Sequence, residues 1–98
     1  MIVVRDVFQA RYGKGDELVA LMKEMMRMAP QMSGPRMQIM TDRSGPFFTV
    51  VTETQVESMG QWEQMMAESF REPKFGEWFA RMMPLVESGH RAFYHLEE

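Results

Sequence analysis

His90 and His95 are the side chains in this sequence best suited to proton transfer, since an imidazole changes charge near neutral pH. They stand five residues apart in a segment, His90 to Leu96, that reads as a strand. Successive strand residues alternate faces, so the two imidazoles point to opposite sides and cannot share one metal ion. His90 follows Ser88-Gly89, which reads as a turn, and is expected to be exposed. His95 shares a face with Arg91 and Phe93, within reach of a pocket or a partner surface, so His95 and Arg91 are the candidate catalytic residues. A half-buried histidine with a backbone partner is the more ordinary arrangement, because no carboxylate to orient either ring stands nearby in sequence.

Methionine supplies 13 of the 98 residues. Thioethers are soft ligands that can hold copper(I). Yet Met22, Met25 and Met26 coincide with an apolar helical stripe, and Met59, Met65 and Met66 with another, which is the pattern of a core filled by flexible side chains. Met28 and Met32 fall off the stripe and could extend a contact surface. Trp62, Phe75, Trp78 and Phe79 occupy two later helical stripes. They could line a flat apolar pocket, with an indole N–H as its polar handle. Trp62 and Phe79 read as core, whereas Trp78, beside Glu77, reads as more open. The first strand carries Arg5, Asp6, Gln9 and Arg11. A charge on a covered face needs a partner, and Glu53 is the candidate for Arg5 if their strands are neighbours.

Other chemistries have no residues to carry them. The chain has no cysteine, so disulfides, thiolate metal sites and thiol nucleophiles are excluded. Gly13-Lys14-Gly15 lacks the rest of a phosphate loop, and no serine-hydrolase elbow or zinc-protease motif occurs. No metal or cofactor is expected. The net charge is −3 without a block of like charge, which argues against nucleic acid. No apolar run approaches the roughly 18 residues of a membrane span. Met1-Ile2-Val3-Val4 meets Arg5 and Asp6 at once, so no signal peptide is expected and the cytoplasm is the default location.

The elements that must position these residues follow from pattern. Hydrophobic residues at 45% and charged residues at 26% suit one globular domain, residues 1–98. Ile2–Tyr12 reads as a strand closed by Gly13. Asp16 is a good N-cap for a helix to about Ala29, ended by Pro30 and Ser33-Gly34-Pro35. Arg36–Asp42 and Phe47–Thr54 form a hairpin around Arg43-Ser44-Gly45-Pro46. Ser58 with Gln61 makes a capping box for a second helix, and Pro73 opens a third that Pro84 ends. The order β-α-β-β-α-α-β is that of a ferredoxin-like α+β sandwich with a four-stranded antiparallel sheet. Its helices cover one sheet face, yet both faces carry large apolar residues: Val4 and Phe8 on one, Val3 and Val7 on the other. A second copy packed sheet to sheet would cover the spare face, so a homodimer is expected.

Three stretches sharpen this. They are Val4-Arg5-Asp6-Val7-Phe8-Gln9-Ala10-Arg11 with Gly13 and Asp16-Glu17, then Glu57-Ser58-Met59 leading to Trp62, and finally the run from Trp78-Phe79-Ala80-Arg81 to Ala92-Phe93-Tyr94. In these the chain resembles the dimeric α+β barrel superfamily, with its NIPSNAP-like and antibiotic-biosynthesis-monooxygenase-like domains. NIPSNAP-like domains often carry Pro-Gly after the first strand, where this chain has Tyr12-Gly13. The resemblance implies a dimer and a ligand, where there is one, between sheet and helices; it does not imply a reaction. The haem-degrading branch resembles an Asn, a Trp and a His acting together, and this sequence contains no asparagine. Two functions follow as expectations. The first is a homodimeric binding protein that holds a small apolar or aromatic molecule through Tyr12, Trp62, Trp78 and Phe79, without established catalysis. The alternative is a cofactor-independent monooxygenase acting on a phenolic or polyketide-like substrate, with His95, Arg91, Trp78 and Tyr12 as the residues to test.

Overall fold

The structure, a computed structural model, describes residues 1–28 and 37–97. The first strand, β1 (Ile2–Ala10), ends two residues earlier than its composition suggests. Gly13, at φ +82°, turns the chain there, and Lys14 N–H donates to the Arg11 carbonyl at 2.8 Å. Helix α1 (Gly15–Met28) therefore starts before Asp16, which sits in the first turn beside Glu17 rather than at the cap. Both carboxylates still face the positive end of the helix dipole. The expected stop signals Pro30 and Ser33-Gly34-Pro35, together with Ala29, Met32 and Arg36, lie outside the described residues.

Strands β2 (Gln38–Thr41) and β3 (Thr49–Val56) form the hairpin. Phe47 and Phe48 belong to its connection and not to the strand, because Phe48 takes φ 60°, a left-handed conformation unfavourable for a bulky residue. Its ring packs edge-on to Tyr12 at 4.9 Å, and its carbonyl accepts from Ala10 N–H at 3.0 Å. Helix α2 (Met59–Arg71) has the expected cap: Ser58 Oγ accepts from Gln61 N–H at 3.1 Å, while Gln61 Oε1 accepts from Glu57 N–H at 2.6 Å. Pro73 opens α3 (Pro73–Met82), and a short 3₁₀ turn, Met83–Leu85, leads into β4 (Val86–His95).

Ser88-Gly89 is not a turn but part of β4. Gly89 lies opposite Phe8, and a Cβ there would come 3.0 Å from the Val7 carbonyl oxygen and 3.3 Å from the Phe8 ring. The glycine serves a close strand-to-strand approach, which is its other common use.

The sheet order is β2-β3-β1-β4, antiparallel throughout, so β1 and β3 are central. This is the ferredoxin-like α+β arrangement. Facing pairs share a side of the sheet. Val4, Asp6, Phe8 and Ala10 of β1 point the same way as Val50, Thr52, Thr54 and Val56 of β3, and as Gly89, Arg91 and Phe93 of β4. Leu18, Leu21 and Met22 of α1 and Trp78 and Met82 of α3 bury themselves against that side with Val50. Met28, which fell off the sequence stripe, also packs on this core. Among the described residues the opposite side carries no helix; it exposes Met40 and Tyr94 and leaves Val7 and Val51 half-buried around the Arg5–Glu53 ion pair. Among the described residues no helix is long and apolar enough to cross a membrane.

Candidate functional site

Each strand supplies the covered face with every second side chain, and on β1 one of these is Asp6, between Val4 and Phe8. A carboxylate among apolar neighbours must find a cation or donors. The register of β1 with β4 sets Arg91 opposite. Arg91 Nε donates to Asp6 Oδ1 at 2.6 Å and Nη2 to Oδ2 at 2.9 Å, a two-point charge-assisted pair. Those bonds raise the Arg91 pKa above its usual value, against the opposing effect of burial. The guanidinium also lies over the Trp62 indole of α2, 5.0 Å from the ring centre, a cation–π distance. Trp62 is itself fixed edge-on against Phe93 of β4 at 5.0 Å.

This pair borders a cavity of about 150 Å³ between the covered sheet face and the three helices. Its floor is strand side chains, with Val4, Phe8, Thr52 and Thr54 beside Asp6 and Arg91. Its apolar wall comes from Met22 and Met25 of α1, Met65 and Met66 of α2, and Met82 of α3. Its aromatic wall is Trp62, Phe75, Trp78 and Phe79. Phe75 stacks on Trp78 at 5.7 Å and on Phe79 at 6.3 Å, so the three rings form one aromatic cluster. The methionine excess thus has a position: unbranched, polarizable side chains line a space that can change shape at low cost. Among the described residues, Asp6 and Arg91 are the titratable groups that line the cavity, and no cluster of three potential metal-ligating His, Cys, Asp or Glu residues occurs.

Of the sequence candidates, Trp62, Trp78, Phe79 and Arg91 are brought together here. The expected burial of the aromatics is reversed. Trp78 is the core residue, 4% exposed, and its indole N–H donates to the Leu21 carbonyl at 2.7 Å. Phe79 is 41% exposed and Trp62 is half-buried. The reason is the rotation of α3: Phe75, Trp78 and Met82 face the sheet at i, i+3 and i+7, and Phe79 falls at the edge of the stripe. Tyr12 lies elsewhere, 80% exposed, in an aromatic group with Phe47 and Phe48. His95 is on the same sheet side as Arg91, as expected, but at the strand end opposite Ile2; it is exposed and not among the cavity-lining residues. His90 is exposed on the other side, opposite Val7. The residue that sequence reasoning missed is Asp6. Its signal was a single charge in the apolar alternation Val4, Asp6, Phe8, Ala10.

With this geometry in place, the chain can be set beside known proteins. No protein-family model matches the sequence, and no curated protein does. Solved structures match closely in shape. A NIPSNAP family protein from Agrobacterium tumefaciens superposes with a TM-score of 0.87 at 18% identity, over 99% of this chain and 93% of that one. An uncharacterized NIPSNAP domain protein from Burkholderia xenovorans gives 0.88 at 17% identity, over 99% and 95%. An antibiotic biosynthesis monooxygenase gives 0.74 at 13% identity, over 100% of both chains. The fold is therefore the α+β fold shared by NIPSNAP and antibiotic-biosynthesis-monooxygenase proteins. Identity this low carries the fold and leaves activity to the site.

Proposed function

We propose that the chain works as a homodimer that holds a small apolar or aromatic molecule between its sheet and its helices, without catalysis. The observation that carries the reading is the cavity itself: apolar walls on an otherwise packed core, with one ion pair and the hydroxyls of Thr52, Thr54 and Ser69 as its polar groups. Concave, mostly apolar sites with few placed polar groups are what small-molecule binding uses. The second copy follows from the uncovered sheet face, where Val7, Val51, Met40 and Tyr94 stand together. Such a face gains by being taken out of water.

The test is a titration of ¹³C-methyl-methionine-labelled protein with toluene, followed by NMR. Saturable shifts confined to cavity methyls such as Met65 and Met82 are expected, and Met65→Trp, which fills the space, should abolish them. Shifts that never saturate would refute the binding reading. Light scattering at micromolar concentration should give twice the chain mass, and a strict monomer would refute the dimer. The oxygenase reading gains no support from the cavity, because a base would have to take the substrate proton there. Asp6, its carboxylate, is bound to Arg91, and His95 lies outside.

A further inference from the structure

The ion pair does more than neutralise Asp6. It uses only one edge of the guanidinium, since Nε and Nη2 hold the two carboxylate oxygens. Nη1 lies on the far side and donates to no group among the described residues. An arginine has five N–H donors in a rigid fork, so binding Asp6 through one edge leaves donors in a fixed direction. Trp62 beneath and Asp6 beside it hold that fork still, at the border of the cavity. What can meet it there is an acceptor oxygen on the occupant.

Charge and size narrow the class. Asp6 and Arg91 cancel, so the cavity is electrically neutral. A carboxylate would add an uncompensated negative charge near Asp6 in a mostly apolar space, which is costly. A carbonyl accepts the same hydrogen bond without that penalty. A volume of about 150 Å³ is of the size that accommodates one benzene ring. The aromatic cluster of Phe75, Trp78 and Phe79 lines the cavity and suits contact with a further ring. We propose that the cavity selects a neutral, single-ring aromatic carbonyl compound, with its ring among the aromatic and methionine side chains and its oxygen accepting from the free edge of Arg91. This rests on the small-molecule reading above and specifies its ligand.

Three probes decide it: acetophenone, ethylbenzene and benzoate, each titrated against the ¹³C-methyl-methionine-labelled chain. Ethylbenzene has nearly the same shape as acetophenone and is more hydrophobic, so burial alone ranks it first. A bond to Arg91 reverses that order, and acetophenone is expected to bind about threefold or more tightly than ethylbenzene, with benzoate weakest. Asp6→Asn leaves the Arg91 charge uncompensated, and benzoate should then gain about tenfold in affinity and overtake the ketone. Ethylbenzene binding as well as or better than acetophenone, or benzoate binding best to the unaltered chain, would overturn the proposal while leaving the cavity reading intact. Failure of all three probes and of toluene would overturn both. Should Asp6→Asn not fold, the ranking on the unaltered chain decides alone.

Discussion

Arg5 and Arg91 make the same kinds of contact on opposite sides of one sheet. Each pairs with a carboxylate on the strand alongside and lies over an aromatic ring: Arg5 with Glu53 and Tyr94, Arg91 with Asp6 and Trp62. Their carboxylate partners or they themselves are neighbours in sequence, at Arg5 and Asp6, and strand alternation alone sends them to different faces. Arg5 holds Glu53 through its Nε at 2.6 Å, on a face with no helix above it among the described residues. Arg91 holds Asp6 through two bonds, under α2 and at the edge of a cavity. The same chemistry is therefore a surface clip in one place and a fixed donor in the other. What distinguishes them is the roof.

Removing each carboxylate should separate the two. Asp6→Ala is expected to cost about 1 kcal/mol in urea unfolding, because it removes a two-point pair from a guanidinium that is still 40% exposed. Glu53→Ala should cost about 0.5 kcal/mol, the usual worth of an exposed pair. If Glu53→Ala costs as much as Asp6→Ala, and more so at high protein concentration, then the open face is covered in solution and the comparison sharpens into evidence for the dimer. The rings come next. Double-mutant cycles should give a coupling of about 1 kcal/mol between Arg91 and Trp62, and about 0.5 kcal/mol between Arg5 and Tyr94. Salt is a milder probe: 1 M NaCl should erase the Arg5–Glu53 coupling and leave most of that between Asp6 and Arg91.

The smallest effect is expected at a third pair. Arg81 of α3 binds both oxygens of Glu24 of α1, at 2.9 and 2.8 Å, with the arginine exposed and the carboxylate partly covered. The hydrogen bonds from Arg81 hold the Glu24 carboxyl below its usual value. A carboxylate with a lowered folded-state value contributes stability above its unfolded value and loses it as the pH falls through the folded one. Glu24→Gln should therefore slightly lower stability at neutral and alkaline pH, leave it unchanged at strongly acid pH, and so flatten the acid limb of the stability profile. An unaltered acid limb would show that this pair contributes nothing.

Much of the fold was legible because its signals are local. Ser58 and Gln61 cap α2, and Pro73 opens α3, through contacts within four residues. The Arg5–Glu53 pair could be read once β1 and β3 were taken as neighbours. The failures share a cause as well. Gly89 looks like a turn until Phe8 is placed across from it, and those two residues lie far apart in the chain. Trp78 and Phe79 are adjacent on one helical stripe, and which of them faces inward depends on how α3 rolls against α1. Asp6 finds Arg91 at a separation of 85 residues, through a register that no short pattern encodes. The site is harder to read than the fold because it is assembled from such distant pairs.

The bond from Trp78 to the Leu21 carbonyl has a mechanical consequence. With Arg81 on Glu24 it fastens α3 to α1 at two points a helical turn apart. Two sides of the cavity are thereby riveted into a single plate. Among the described residues, helix α2 makes ring contacts but no side-chain hydrogen bond to α1 or α3: Ser69 is its one buried residue, and its hydroxyl bonds within its own helix. An occupant that spreads the cavity should therefore displace α2 and leave the plate in place, an outcome that amide exchange in α2 against α1 and α3 would check. Since Trp62 rides on α2, such a displacement would also lift the indole off Arg91 and take away one of the two contacts that hold the guanidinium.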